Sequence, residues 1–174
     1  MTWIWMGLGG LALLIAAVML IGMLLPEEYE SRVEMSVAQS PEVVWAALND
    51  PRQVSYAGRQ ARSIEVLREG EALEWREDMG PSVLTMSFVE FEPLKRIVCE
   101  ATDSVVPMTM RRVFELEERE GRTFVTCSQK TTIKSGTYHV PIFRVTMALG
   151  AAKAGMKDYL KRCAGAIGEE ARFE

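Results

Sequence analysis

Arg112 is the side chain whose position in this sequence points most clearly to chemistry. In the segment Met108–Glu117 apolar and polar residues alternate, as in a half-buried strand, and Arg112 has the parity of the apolar residues. A buried guanidinium is costly unless a carboxylate, water or an anionic ligand accompanies it. Glu77, inward on the segment Ala72–Met79, is the obvious protein partner. Three alternatives follow for Arg112: an internal ion pair with Glu77, an anchor for a ligand, or exposure to solvent through a β-bulge.

The other inward positions of the predicted strands are mostly apolar and rich in methionine. Methionine adapts its shape to irregular partners, so this surface is either an ordinary core or a deformable pocket for an apolar ligand. Gln129 and Thr131 either orient a ligand carbonyl or hydroxyl or serve as internal hydrogen-bond partners. The predicted ligand-binding residues are Trp75, Glu77, Met86, Met110, Arg112, Phe114, Gln129, Thr131 and Met156.

Motifs for nucleophilic, metal-dependent or nucleotide chemistry are absent from the sequence. The only histidine, His139, cannot form a multi-histidine metal site. It precedes the last predicted helix, where it is either a solvated loop residue or an acid or base near a cavity mouth. We therefore predict no catalytic residue, no metal site and no cofactor.

The charge balance excludes two classes of partner. The chain has 20 Lys and Arg against 24 Asp and Glu, a net charge of −4, which argues against nucleic acid and against a polybasic patch for anionic lipid. The three cysteines, Cys99, Cys127 and Cys163, form no C-x-x-C motif. We expect all three to be small buried apolar residues.

The N-terminal residues 2–25 form an apolar run without a charged side chain. A helix of this length measures roughly 36 Å and crosses a hydrocarbon core of about 30 Å. Trp3 and Trp5 stand where interfacial aromatic residues belong, and Pro26 ends the helix. A cleaved signal peptide is the alternative, although the run has no basic n-region. We predict a transmembrane anchor over residues 1–26, which contacts the lipid bilayer through residues 2–25, and one folded domain over residues 27–174.

The domain contains alternating segments followed by a helical pattern. A first strand near Tyr29 to Val37 precedes a short helix at Pro41–Leu48. From Ile142 to Ile167 apolar residues recur every three or four positions, which predicts one long helix with Arg144 and Arg162 on its solvated side. The remaining predicted strands are Ser63–Leu67, Ala72–Met79, Ser82–Phe91, Arg96–Ala101, Met108–Glu117 and Thr123–Lys134. We infer an α+β domain in which a curved, seven-stranded antiparallel sheet wraps the long C-terminal helix.

The chain resembles the SRPBCC superfamily of START-like, helix-grip proteins, and within it the polyketide cyclase/dehydrase-like group. The resemblance covers about residues 28–168 and is strongest in the segment SPEVVWAALND at residues 40–50. A membrane helix directly ahead of such a domain is similar to many bacterial members. The sequence departs from the family near residues 51–62, where Tyr56, Ala57 and Gly58 occupy a place in which tryptophan is common.

The resemblance implies a cavity between the sheet and the long helix that holds an apolar or amphipathic small molecule. We expect a membrane-anchored binding module for such a molecule or a lipid, in a bacterial cell membrane. One alternative is a cyclase/dehydrase-like enzyme in which Arg112, Glu77 and His139 hold an enolate. Another is an accessory subunit of a membrane complex, whose protein partner the sequence does not identify. Fold alone does not decide between these functions.

Overall fold

The structure is a computed structural model that describes residues 2–52 and 55–173, without the side chains of residues 2–7 and 59. Its helices are α1 (Thr2–Leu24), α2 (Pro41–Leu48), α3 (Val140–Ala148) and α4 (Ala151–Ala166). Its strands are β1 (Glu28–Val37), β2 (Ser63–Arg68), β3 (Glu74–Asp78), β4 (Val83–Glu92), β5 (Arg96–Asp103), β6 (Met108–Arg119), β7 (Arg122–Ile133) and β8 (Arg172–Phe173).

The described strands form one antiparallel sheet in the order β2-β3-β4-β5-β6-β7-β1-β8. Most neighbours in the sheet are also neighbours in sequence, as short turns between alternating segments predict. In the tight turn between β6 and β7, Glu120 and Gly121 both have positive φ angles, which suits the twist of a hairpin. The predicted antiparallel helix-grip architecture is confirmed.

The main hydrophobic core lies between the sheet and α4. Trp75, Met86, Phe114 and Met156 are fully buried there. Tyr159 and Cys163 extend the buried face of α4, and Cys99 and Cys127 face them from the sheet as free, buried thiols. The expectation that the cysteines are buried is confirmed.

The sheet has eight described strands rather than the predicted seven. The extra strand, β8, comprises two residues and pairs with Met35 and Ser36 of β1. A segment this short carries no alternation that could reveal it, and its pairing depends on where α4 delivers the chain end.

The predicted long C-terminal helix is interrupted. Gly150 has φ +90, in the left-handed region, and separates α3 from α4. The apolar periodicity of the sequence runs through this break, so the predicted exposure of two residues is wrong. Leu149, which belongs to the apolar series of the predicted helix, is 83% exposed, whereas Arg144, expected on the solvated side, is 4% exposed. A change of helix axis at Gly150 rotates the face that α3 presents.

Arg144 joins three parts of the chain. Its guanidinium donates hydrogen bonds to Glu27 at 2.8 Å, to the carbonyl oxygen of Ile133 at 2.9 Å and to Ser135 at 3.2 Å. Tyr29 donates to the backbone oxygen of Arg144 at 3.1 Å. These bonds fix α3 against the start of β1 and the end of β7.

The N-terminal helix α1 packs against α3. A Cβ atom on Gly22 would overlap the backbone of Pro141, so glycine permits this close approach of the two helices. Elsewhere α1 exposes large apolar side chains, including Leu13 (74%) and Leu24 (87%). Among the helices as far as their residues are described, none is long and apolar enough to cross a membrane. The predicted transmembrane anchor is therefore not supported, and the Trp3 and Trp5 side chains lie outside the described part.

Candidate functional site

An open cleft of about 730 Å³ lies between the sheet and the helices α3 and α4. Its walls are largely apolar, with Phe143 and Met147 from α3 and Leu84 and Met110 from the sheet. The described residues that line it are Tyr56, Ala57, Gln60, Arg62, Met79, Pro81, Ser82, Leu84, Asp103, Met108, Met110, Arg112, Gln129, Phe143, Met147, Ala151, Ala152 and Gly155.

Arg112 lines this cleft and is 6% exposed, so the alternation of β6 placed it correctly and no bulge turns it outward. Its Nε donates to Oε1 of Gln129 at 2.9 Å, and its Nη2 donates to the same oxygen. The ring of Tyr56 lies under the guanidinium, 4.4 Å from Cζ to the ring centroid. Nη1 is buried without a hydrogen-bond partner among the described residues.

Of the three alternatives for Arg112, the ion pair with Glu77 is not formed. The Glu77 carboxylate is fully buried and accepts four hydrogen bonds, none of them from Arg112. Its donors are the Ser55 hydroxyl (2.7 Å), the backbone N–H groups of Tyr56 (2.8 Å) and Ala57 (2.7 Å), and the Trp75 indole N–H (3.0 Å). Burial of a carboxylate is tolerated when its oxygens are satisfied in this way. All four donors to Glu77 are uncharged groups. Arg112 therefore has no carboxylate within 4 Å in the described structure.

The loop of residues 55–58 is held from two sides. Glu77 accepts its N–H groups, and Arg162 of α4 donates to the backbone oxygens of Ser55 and Tyr56. This clamp sets the Tyr56 ring between Arg112 and Tyr159, with 4.6 Å between the two tyrosine ring centroids. The loop thus holds Tyr56 against the guanidinium in the lining of the cleft.

The nine predicted ligand-binding residues divide into two groups. Met110, Arg112 and Gln129 line the cleft. Gln129 donates from Nε2 to Thr131 at 2.8 Å, so Thr131 orients the amide whose oxygen faces Arg112. The remaining residues are buried in the core and are not among the described residues that line the cleft: Trp75, Glu77, Met86, Phe114, Thr131 and Met156.

Tyr56 is the site residue that sequence reasoning missed. Its only signal was its place in the segment where the sequence departs from the resembled family, because no alternation marks a loop residue as inward. His139 lies outside the described cleft lining and packs against Tyr138, with 3.8 Å between ring centroids. No group of His, Cys, Asp or Glu side chains within the described ranges has the arrangement of a metal site.

Burial controls the protonation of the groups around Arg112. It raises the pKa of the Tyr56 and Tyr159 phenols well above their usual value. It also raises the pKa of the thiols, to about 12 for Cys99 and about 11 for Cys127. All four groups are therefore neutral at pH 7, and none of them compensates the charge of Arg112.

Solved structures share this fold. The Zhui aromatase/cyclase from Streptomyces sp. R1128 superposes with a TM-score of 0.64 at 16% identity, over 81% of this chain and 94% of that one. A conserved protein from Geobacillus kaustophilus gives 0.63 at 16% identity, over 82% and 99%. DynU16, from the dynemicin biosynthetic locus, gives 0.53 at 20% identity over 80% of this chain, which spans only 47% of that protein. At these identities the likeness shows a common fold.

The sequence comparison identifies a family. No curated protein matches the chain significantly. The model of the family described as activator of Hsp90 ATPase homolog 1-like protein matches residues 38–164, which run from the end of β1 through most of α4. The predicted SRPBCC superfamily is thereby confirmed. The chain belongs to the activator of Hsp90 ATPase homolog 1-like family within that superfamily.

Proposed function

We propose that the protein binds an apolar or amphipathic small molecule in the cleft between the sheet and helices α3 and α4. One observation carries the proposal: a cleft of about 730 Å³ with mostly apolar walls is lined by Arg112, whose buried guanidinium has no carboxylate partner in the described structure. Pockets of this size with few polar groups are typical of small-molecule sites. Apolar walls hold the body of a ligand, and Arg112 orients its polar end.

A cyclase-like enzyme is the second candidate function. The structural likeness to the Zhui aromatase/cyclase favours it, because that protein uses the same architecture. In such a role Arg112 would stabilise an enolate, since a preorganised donor in a water-poor site strengthens electrostatic stabilisation. The arrangement expected for this role, with Glu77 and His139 beside Arg112, is not found, because neither residue lies against Arg112.

We also propose that α1 contacts a lipid bilayer. Most of the described apolar side chains of α1 are exposed, and residues 2–25 carry no charge. An apolar helix without a polar face is unfavourable in water. Contact with lipid would bring the cleft near molecules that partition into the membrane.

Ligand binding is tested with the full chain and the fluorescent apolar probe N-phenyl-1-naphthylamine. Gly155 lines the cleft, and a Cβ there meets no atom within 4 Å, so Gly155→Phe places a side chain in the cleft. Gly165 lies on the same helix, is exposed and has equally open surroundings. Gly165→Phe is therefore the matched control. Any binding of the probe to α1 is the same in both variants.

We expect Gly155→Phe to weaken probe affinity at least tenfold and Gly165→Phe to leave it within twofold of the unsubstituted protein. The physical reason is that a phenyl ring occupies the volume that the probe needs. Equal affinity in all three proteins, or no saturable binding to the unsubstituted one, would overturn the proposed function.

A further inference from the structure

Two buried hydrogen-bond donors beside the cleft lack acceptors. Nη1 of Arg112 and the hydroxyl oxygen of Tyr56 are both screened from solvent and have no nitrogen or oxygen acceptor in the described structure. The neighbour of the Tyr56 hydroxyl is the Cys99 thiol, whose sulfur is a weak acceptor. They belong to side chains in contact, because the guanidinium lies 4.4 Å from the centroid of the Tyr56 ring. Each buried orphan donor costs roughly 1–3 kcal/mol. Such a pair at the wall of a cleft marks a place where a ligand can supply the acceptor.

Both groups act as donors under ordinary conditions. Arg112 is always protonated, and a guanidinium has no acceptor atom. The buried Tyr56 phenol keeps its proton because burial raises its pKa. A ligand group that only donates hydrogen bonds would leave both donors unsatisfied.

The charge at this site favours an anion over a neutral acceptor. The buried carboxylate of Glu77 has its oxygens occupied by Ser55, Trp75 and the loop N–H groups. In the described structure, the one oxygen that accepts a hydrogen bond from the Arg112 guanidinium is Oε1 of Gln129, and this oxygen is uncharged. A buried guanidinium without a counter-ion gains most from a negatively charged partner.

The small number of donors at the site favours a ligand group with a single negative charge. One guanidinium nitrogen and one phenol lack an oxygen or nitrogen partner, and the surrounding side chains are Met110, Cys99, Cys127 and aromatic rings. A phosphate dianion would lose more hydration than these two donors replace. A carboxylate or an enolate has the fitting charge and accepts from both donors.

We propose that the ligand of the cleft carries a carboxylate or enolate oxygen that is bound by Nη1 of Arg112 and the hydroxyl of Tyr56. This inference rests on the proposed binding role of the cleft. The apolar body of the ligand lies against Phe143 and Met147. Met110, whose Sδ lies 3.7 Å from Nη2 of Arg112, is the flexible neighbour that yields as the anionic oxygen enters.

Glu77 and Arg162 act as positioning residues for this site. They hold the N–H and C=O groups of the loop that carries Tyr56, and neither side chain lines the cleft among its described residues. Loss of the Glu77 contacts frees the loop and so separates the phenol from the guanidinium.

The test compares two competitors with alkyl chains of equal length, dodecanoate and dodecan-1-ol. Each is used to displace N-phenyl-1-naphthylamine from the full protein chain. We expect the unsubstituted protein to prefer dodecanoate at least tenfold. Arg112→Met should reduce the preference to near one while probe affinity persists, and Tyr56→Phe should reduce it partly. Arg112→Lys keeps the charge and should retain part of the preference, even if Arg112→Met fails to fold.

The outcomes separate the two proposals. Probe binding that is blocked by Gly155→Phe, together with equal displacement by both competitors, would overturn the anion site and leave the binding role intact. A carboxylate preference that survives in folded Arg112→Met would also overturn it. Absence of saturable probe binding would overturn the binding role itself.

Discussion

The buried side chains Glu77 and Arg112 have separate hydrogen-bond partners, and only Glu77 is fully satisfied. Glu77 takes its hydrogen bonds from neutral donors of the 55–58 loop and from Trp75. Arg112 takes its partners from Gln129 and the Tyr56 ring. This separation gives the two residues different roles, one holding the loop and the other facing the cleft.

Glu77→Gln should destabilise the fold. The amide offers one acceptor oxygen in place of two and points an N–H₂ group at donors that need acceptors. We expect a loss of roughly 2–4 kcal/mol in the free energy of unfolding, measured by urea denaturation. Glu65→Gln is the matched control, because Glu65 is exposed on the neighbouring strand β2. An effect no larger than that of Glu65→Gln would contradict the role assigned to Glu77.

The buried thiols should make the fold sensitive to alkali. Burial raises the pKa to about 11 for Cys127 and about 12 for Cys99 and Cys163. An unfolded thiol ionises near pH 8.5, so the unfolded chain releases protons first and stability falls as pH rises. Between pH 8 and 9.5 we expect a loss of about 1 kcal/mol per thiol.

Urea midpoints at pH 8, 8.75 and 9.5 measure this loss. The range ends before an ordinary tyrosine ionises near pH 10. Cys163→Ala removes one of the three titrating groups and should make the decline about one third shallower. A midpoint that does not change with pH would show that the thiols are not protected by burial.

At the scale of elements, the break between α3 and α4 separates two tasks. α4 covers the core, whereas α3 packs against α1 and contributes Phe143 and Met147 to the cleft. The left-handed backbone at Gly150 permits this change of direction. A helix continuous through this point could not present both faces.

Gly150→Ala should destabilise the protein by roughly 1–2 kcal/mol, because a Cβ is disfavoured in the left-handed region. Gly165→Ala is the matched control within α4, where no atom opposes a new Cβ. It should stabilise by roughly 0.5–1 kcal/mol through helix propensity. Urea denaturation gives both values, and effects of equal sign would contradict the assigned break.

The contact between α1 and α3 should depend on Gly22. Gly22→Ala introduces a Cβ that overlaps the Pro141 backbone, so the two helices must separate. We expect faster amide hydrogen exchange in α3, because its packing and its bonds through Arg144 weaken together. Gly10→Ala, where a Cβ meets no atom within 4 Å, should leave exchange in α3 unchanged. Similar exchange in both variants would show that the close approach does not hold α3.

At the scale of the whole molecule, an SRPBCC domain with a cleft is joined to an exposed apolar helix. Flotation with phosphatidylcholine vesicles tests the proposed lipid contact of α1. We expect the full chain to float and the double variant Leu13→Lys, Leu20→Lys to float less, because both side chains are exposed in α1 and lysine opposes contact with hydrocarbon. Val89→Lys, an exposed position on β4, is the control and should float. An unsubstituted chain that stays at the bottom of the gradient would contradict lipid contact.

Much of the fold and part of the site could be predicted from the sequence. Alternation in β6 and β7 correctly placed Arg112 and Gln129 at the interior, since a strand has only two faces. The same reasoning named Glu77 as the protein partner of Arg112 and missed Tyr56, because Tyr56 reaches Arg112 from a loop without periodicity. The division into residues 1–26 and 27–174, and a ligand-binding role for the nine predicted residues, stay predictions.

The sequence by itself determined the antiparallel sheet and the inward parity of the core residues, because these depend on local periodicity and turn residues. Its resemblance to a known family indicated the superfamily. Only the tertiary structure decided which buried groups pair, where the C-terminal helix breaks and which residues line the cleft. Those features depend on how distant segments approach one another. The buried carboxylate of Glu77 bonds to the 55–58 loop, and Arg112 therefore keeps a free donor beside the cleft.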